Sequence, residues 1–106
     1  GYVGEFIPLL IEAGFDCIQP LEARAGNDIR EYKPRFGRDI ALFGNISADV
    51  MALDEDAIRA EVESKLTVAK VGGGYLYHSD HSINPLISFD NYKYTIGLVR
   101  QLGRYD

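Results

Sequence analysis

Between residues 5 and 103, four helix-like stretches alternate with three short apolar runs, and this alternation constrains the chain more than any other feature. Residues 5–13 set Phe6, Leu9, Leu10 and Ala13 at helical spacing, with Pro8 in the first turn and Gly14 as the stop. Residues 17–22 are a short strand candidate, weakened by Pro20, which cannot donate to a sheet ladder. Asp28 opens a helix, with Glu31 at capping-box spacing, and Pro34 is expected to end or kink it before Gly37 closes it. Residues 40–44 are apolar throughout, as suits a strand buried on both faces. The longest helix is expected over residues 55–70, capped by Asp54. Its core face is Ile58, Val62, Leu66 and Ala69, with Glu61 and Lys65 as an i,i+4 pair on the outside. Gly72, Gly73 and Gly74 end it, and residues 75–78 form the third strand. Ser88 caps a last helix whose apolar face is Phe89, Tyr92, Ile96, Val99 and Leu102, and Gly103 is its stop.

Strands alternating with helices imply a parallel sheet with right-handed crossovers. A closed eight-unit βα barrel takes about 250 residues, so three of its units take about 94. The chain has 106 residues, which fits three βα units and a leading helix but not a closed barrel. The expectation is one α/β segment, residues 1–106, forming part of a (β/α)8 TIM barrel. Hydrophobic residues at 46% and charged residues at 25% suit a packed core rather than disorder. A net charge of -5 without a Lys/Arg cluster argues against nucleic-acid and anionic-membrane partners. No apolar run reaches the roughly 18 residues of a membrane span. The opening Gly1-Tyr2-Val3-Gly4-Glu5 has neither Met nor a basic, apolar leader, so it reads as a chain entered within a domain. The single Cys17 cannot form an internal disulfide. It is expected as a buried structural residue at the start of its strand, in a reducing, cytoplasmic setting.

In parallel α/β folds the functional groups gather beyond the C-terminal ends of the strands. That rule selects Gln19 and Glu22 after the first strand, Asn45 and Ser47 after the second, and His78, Ser79, Asp80 and His81 after the third. Both histidines fall in that last segment, and imidazole is suited to proton transfer and to metal ligation near neutral pH. The alternative is that one packs against the rim while the other bonds the loop. No third clear ligand stands nearby, and no bound metal is expected. Glu22 is a candidate acid, base or cation site, or a solvated loop charge. Tyr75 and Tyr77 share a face and either pack inside a barrel or line a pocket. The glycine run does not read as a phosphate loop, because it closes a helix and precedes a strand.

Gly44-Asn45-Ile46-Ser47-Ala48 resembles the Gly-Asn-Leu-Asp-Pro segment of uroporphyrinogen decarboxylases. His81-Ser82-Ile83-Asn84-Pro85 resembles their His-Gly-Ile/Val-x-Pro segment, and Ser88-Phe89-Asp90-Asn91 the capped start of their last helix. Residues 7–14 are similar to the helix before that family's sixth strand. The resemblance covers nearly the whole chain and implies the C-terminal three βα units, with the preceding helix, of the family's barrel. It implies cofactor-free removal of carboxylates from tetrapyrrole acetate side chains in porphyrin biosynthesis. The expected site is substrate-binding, made of His81, Asn45, Glu22 and His78, with a carboxylate-bearing small molecule as partner. The family's principal catalytic Asp and Arg residues belong to its N-terminal part, so this segment by itself is expected to be inactive. Two departures lie in the pocket. Asp80 and Ser82 flank His81 where the decarboxylases usually have glycines, and Pro20-Leu21-Glu22 replaces a Gly-Leu-Asp-Trp-type segment. Arg100-Gln101-Leu102-Gly103-Arg104-Tyr105 reads like the family's Arg-Gln-Ala-Gly-Arg-Tyr motif, but that motif lies near the family's N-terminus and no function is carried over. The same superfamily includes corrinoid-dependent methyltransferases, often with zinc, which is the alternative enzyme reading. The alternative in another class is a non-catalytic α/β binding domain, whose two open sheet edges would need cover and could drive self-association.

Overall fold

The computed structural model describes residues 2–19, 21–80 and 85–103. Its elements are α1 (Ile7–Glu12), β1 (Cys17–Ile18), a 3-10 turn (Ala23–Ala25), α2 (Ile29–Phe36), β2 (Ala41–Phe43), α3 (Ala48–Met51), α4 (Glu55–Ala69), β3 (Tyr75–Leu76) and α5 (Phe89–Leu102). The strands form one parallel sheet in the order β1-β2-β3. The α/β arrangement expected from the alternation is therefore present, with strands shorter than expected.

Register explains which side chains are buried. Ile18 pairs with Leu42 and Leu42 with Tyr75, so these three form one row across the sheet, and all are buried. They share a single core with Ile29, Tyr32 and Phe36 of α2, Ile58, Val62 and Leu66 of α4, and Leu98 of α5. Strand alternation sends Cys17, Ala41, Phe43 and Leu76 to the other face. There Leu76 is 48% exposed, Cys17 is exposed, and Ala41 and Phe43 are half-buried. Cys17, expected to be buried, is thus exposed, and among the described residues the helices cover one face of the second strand. Tyr75 and Tyr77 lie toward that covered side, Tyr75 within the core and Tyr77 packed against it.

The helix starts follow the capping residues. Asp28 accepts from the Arg30 amide, Asp54 from Ala57 and Ser88 from Asn91. Such caps each contribute about 1 kcal/mol by satisfying a donor that the helix cannot. The α4 face is as the spacing implies, with Ile58, Val62, Leu66 and Ala69 all buried. Two other faces differ. In α1 it is Ile7 that is buried, while Phe6 and Leu9 lie in solvent. In α5 Val99 and Leu102 pack against the core as expected, but Thr95 and Leu98 are the buried residues and Phe89 and Tyr92 are exposed. Pro34 does not stop α2, which continues to Phe36. Pro34 is exposed, whereas Tyr32, Lys33 and Phe36 are buried, so the packing of the other face carries the helix past it. The run Gly72-Gly73-Gly74 holds three successive positive φ values and turns the chain from α4 into β3. Among the described residues no helix is long and apolar enough to cross a membrane.

Candidate functional site

The exit from β2 organises the C-terminal edge of the sheet. Gly44 (φ 111) and Asn45 (φ 75) are consecutive left-handed residues that turn the chain off the strand. Nothing would lie nearer than 3.8 Å to a Cβ on Gly44, so the backbone conformation rather than space calls for glycine there. Asn is among the few other residues that tolerate it. The Asn45 side chain is fully buried and its amide is wholly engaged. Its Oδ1 accepts from Ile29 N at 2.9 Å, and its Nδ2 donates to Leu21 O at 2.9 Å and Asn27 O at 2.8 Å. Asn45 was expected to reach substrate from the rim. It instead ties the loop after β1 and the start of α2 to the end of β2, with no polar atom left for a ligand.

Two further buried charges complete the tie. Asp80 is 4% exposed, and its Oδ2 accepts from Ala23 N at 2.9 Å while Oδ1 accepts from Ala48 N at 2.8 Å. One carboxylate thus holds the first turn of the 3-10 segment and the first turn of α3, where the exposed amides favour an anion. Lys65 was expected outside with Glu61; it is inside, at 4% exposure. Its Nζ donates to Asn45 O and to Glu61 Oε2, each at 2.6 Å, and the same Glu61 oxygen accepts from Ser47 N at 2.7 Å. Ser47 in turn caps α3 through Val50 N. Asn27 extends the network: its Oδ1 accepts from Val3 N and the Tyr32 hydroxyl, and its Nδ2 donates to Glu22 O. Every buried side-chain polar atom described has a partner. The loops leaving all three strands are therefore fixed to one another by side chains bonded to backbone.

Above this brace lie the groups that can meet a ligand. Glu22 is half-buried, ahead of the 3-10 turn, beside the Leu21 carbonyl that Asn45 holds. His78 is exposed, with its ring 5.4 Å from that of Phe43. Gln19 is exposed at the end of β1. His81 lies outside the described residues. Tyr77 faces the other way, against the core, where burial pushes its phenol up to about 12 and keeps it protonated. Sequence reasoning missed the brace, because Asn27 sits in a loop with no motif and Lys65 carries the signature of a surface ion pair. It also treated Phe43 only as a strand residue, although its pairing with Leu76 places it on the open face. A concavity of about 620 Å³ lies elsewhere, between the ends of α2 and α4, lined by Lys33, Arg38 and Val71 among others. It is at the N-terminal edge of the sheet, where Lys33 Nζ donates to Gly73 O, and burial lowers the Lys33 pKa.

The family model described as uroporphyrinogen decarboxylase (URO-D) matches residues 1–102. The chain belongs to that family. Uroporphyrinogen decarboxylase of Saccharophagus degradans is 30% identical over 82 residues, covering 77% of this chain and 22% of that protein. Uroporphyrinogen decarboxylase of Legionella pneumophila (strain Lens) is 27% identical over 100 residues, 94% of this chain and 28% of that protein. That of Hydrogenovibrio crunogenus is 31% identical over 84 residues, 79% of this chain and 23% of that protein. The chain thus spans about a quarter of the length of these uroporphyrinogen decarboxylases. The URO-D family is a TIM barrel, and the three-stranded parallel sheet with its helices on one face is consistent with a portion of one.

Proposed function

We propose that residues 1–106 are the C-terminal three βα units, with the preceding helix, of a uroporphyrinogen decarboxylase-type barrel. In this reading the complete protein is a carboxy-lyase that acts on a carboxylate-bearing, tetrapyrrole-like small molecule without a cofactor. The chemistry is charge stabilisation. Protonation gives a cationic pyrrole, which takes up the electron pair left when an acetate side chain loses carbon dioxide, while rim groups hold the remaining carboxylates. The observation that supports the reading most is the mutual locking of the three strand-to-helix loops by Asn45, Asp80 and Lys65. A rim fixed in this way is preorganised, and it stands at the edge where barrel enzymes hold substrate. His81, His78 and Glu22 are the substrate-contacting candidates, and Asn45 becomes a positioning residue beneath them.

His81 enters on its sequence position alone, between buried Asp80 and Pro85. In the longest natural chain that carries these residues, His81→Ala should lower turnover of uroporphyrinogen by roughly ten- to a hundredfold, the worth of one hydrogen bond to a charged group. Thermal stability should hardly change. A variant that melts early but keeps full turnover per folded molecule would make this histidine structural.

A further inference from the structure

The open face of the sheet carries one pair of rings toward its C-terminal end. Phe43 pairs with Leu76 in β3, and His78 follows two residues beyond Leu76. The Phe43 and His78 centroids are 5.4 Å apart with their planes tilted by 38°. Phe43 is half-buried and His78 exposed, and neither belongs to the buried core. The His78 ring is also oriented, because its Nδ1 lies against Ser79 O. A carbonyl oxygen only accepts, so Nδ1 carries the proton. In this Nδ1–H tautomer Nε2 is the ring's acceptor, and among the described residues nothing bonds it. A bare carboxylate is a poor match for that atom, since two acceptors repel. A flat ring bearing its own N–H matches both halves of the pair: its face meets the phenyl ring and its N–H meets Nε2.

We propose that Phe43 and His78 form a stacking floor for a flat N–H heteroaromatic ring, with Phe43 packing on the ring and His78 Nε2 accepting its N–H. The choice of a pyrrole as that ring rests on the decarboxylase-type reading above. The floor assigns ring recognition to the sheet face and leaves carboxylate recognition to the loops. It also gives Phe43 a role other than packing against helices.

The test is an NMR titration of the longest natural chain carrying these residues, at about pH 8. The probes are pyrrole-2-carboxylate and cyclopentanecarboxylate, which share a carboxylate and a ring shape but differ in aromaticity and N–H. Pyrrole-2-carboxylate should shift the His78 ring protons, and cyclopentanecarboxylate should leave them in place. Phe43→Leu should weaken pyrrole-2-carboxylate about three- to tenfold, the worth of one aromatic contact. Phe43→Tyr, which keeps the ring, should bind like the unaltered protein, and matched melting curves establish that both variants fold. The floor is wrong if both acids, or neither, move the His78 signals, or if Phe43→Leu binds the pyrrole unchanged. Turnover of uroporphyrinogen is a separate readout. Pyrrole stacking without turnover leaves the floor standing and removes the decarboxylase reading; turnover with no response to the pyrrole does the reverse.

Discussion

Asn45 joins a demanding backbone conformation to a demanding side chain. Its left-handed φ of 75° suits Asn, and three backbone groups between the exit of β1 and the start of α2 close on its amide. Asn45→Ala keeps the conformational strain and leaves buried donors and acceptors unpaired, which should destabilise the fold by about 2–4 kcal/mol in urea denaturation. Asn45→Gly relieves the strain alone and should recover only part of that loss. Lys65 makes a contrasting case with Arg35. Both bond a glutamate four residues earlier, but the Lys65 and Glu61 side chains are 5% and 14% exposed, against 56% and 49% for Arg35 and Glu31. Removing one partner of a buried pair strands the other, so Lys65→Met should cost about 3–5 kcal/mol. Arg35→Met should cost about 0–1 kcal/mol. Equal losses in the two variants would mean that the Lys65 pair is not buried in solution. Nothing in the spacing Glu61–Lys65 separates these cases, since an i,i+4 pair has the same form on either side of a helix. What separates them is the Asn45 carbonyl, supplied by the turn after β2, 20 residues away.

At the scale of elements, the legible helices are those whose signals are local. Asp28, Asp54 and Ser88 cap where their spacing says they should. The α4 face is legible because four apolar residues recur with helical period and nothing competes with them. The α5 face is not. Phe89 and Tyr92 carry the apolar period there, but Asn91 anchors the helix by donating to Met51 O and Leu53 O, and that anchor turns Thr95 and Leu98 inward. A polar side chain bonded to a distant backbone thus sets a rotation that hydrophobicity alone misplaces. The start of α2 gives a prediction with a pH sign. The Arg30 guanidinium holds the Asp28 carboxyl below its ordinary value of 3.8, and the Arg30 amide bond acts in the same direction. A carboxyl depressed in the folded state contributes stability that is complete above its unfolded pKa and is lost as pH falls through the folded one. Asp28→Ala should therefore lower stability at neutral pH by about 0.5–2 kcal/mol, chiefly through the lost cap. The gap from the unaltered protein should narrow as the pH falls below 3.8. Paired urea titrations at several pH values measure both.

For the whole molecule, alternation and length made the parallel α/β sheet legible, while the one-sided cover of that sheet was not. The run at residues 40–44 has the composition of a strand buried on both faces, yet Leu76 and Cys17 lie open beside it. Composition records what a face requires, whereas the described residues supply cover only on the side of α2 and α4. An apolar parallel face and two strand edges left open favour association. The 106-residue chain alone should elute from size exclusion above its 11.8 kDa mass and bind a hydrophobic dye. Monomeric elution without dye binding would favour a self-contained binding domain. The Asp80 carboxylate has a different kind of consequence, in time rather than space. Its two bonds reach across 57 and 32 residues, to Ala23 and Ala48. Contacts of such separation repay their chain-closure cost only after the strands between them have found register. Asp80→Ala should then quicken unfolding and leave the folding limb of a chevron nearly unmoved. The rim would be the last part of this segment to take shape and the first to come undone.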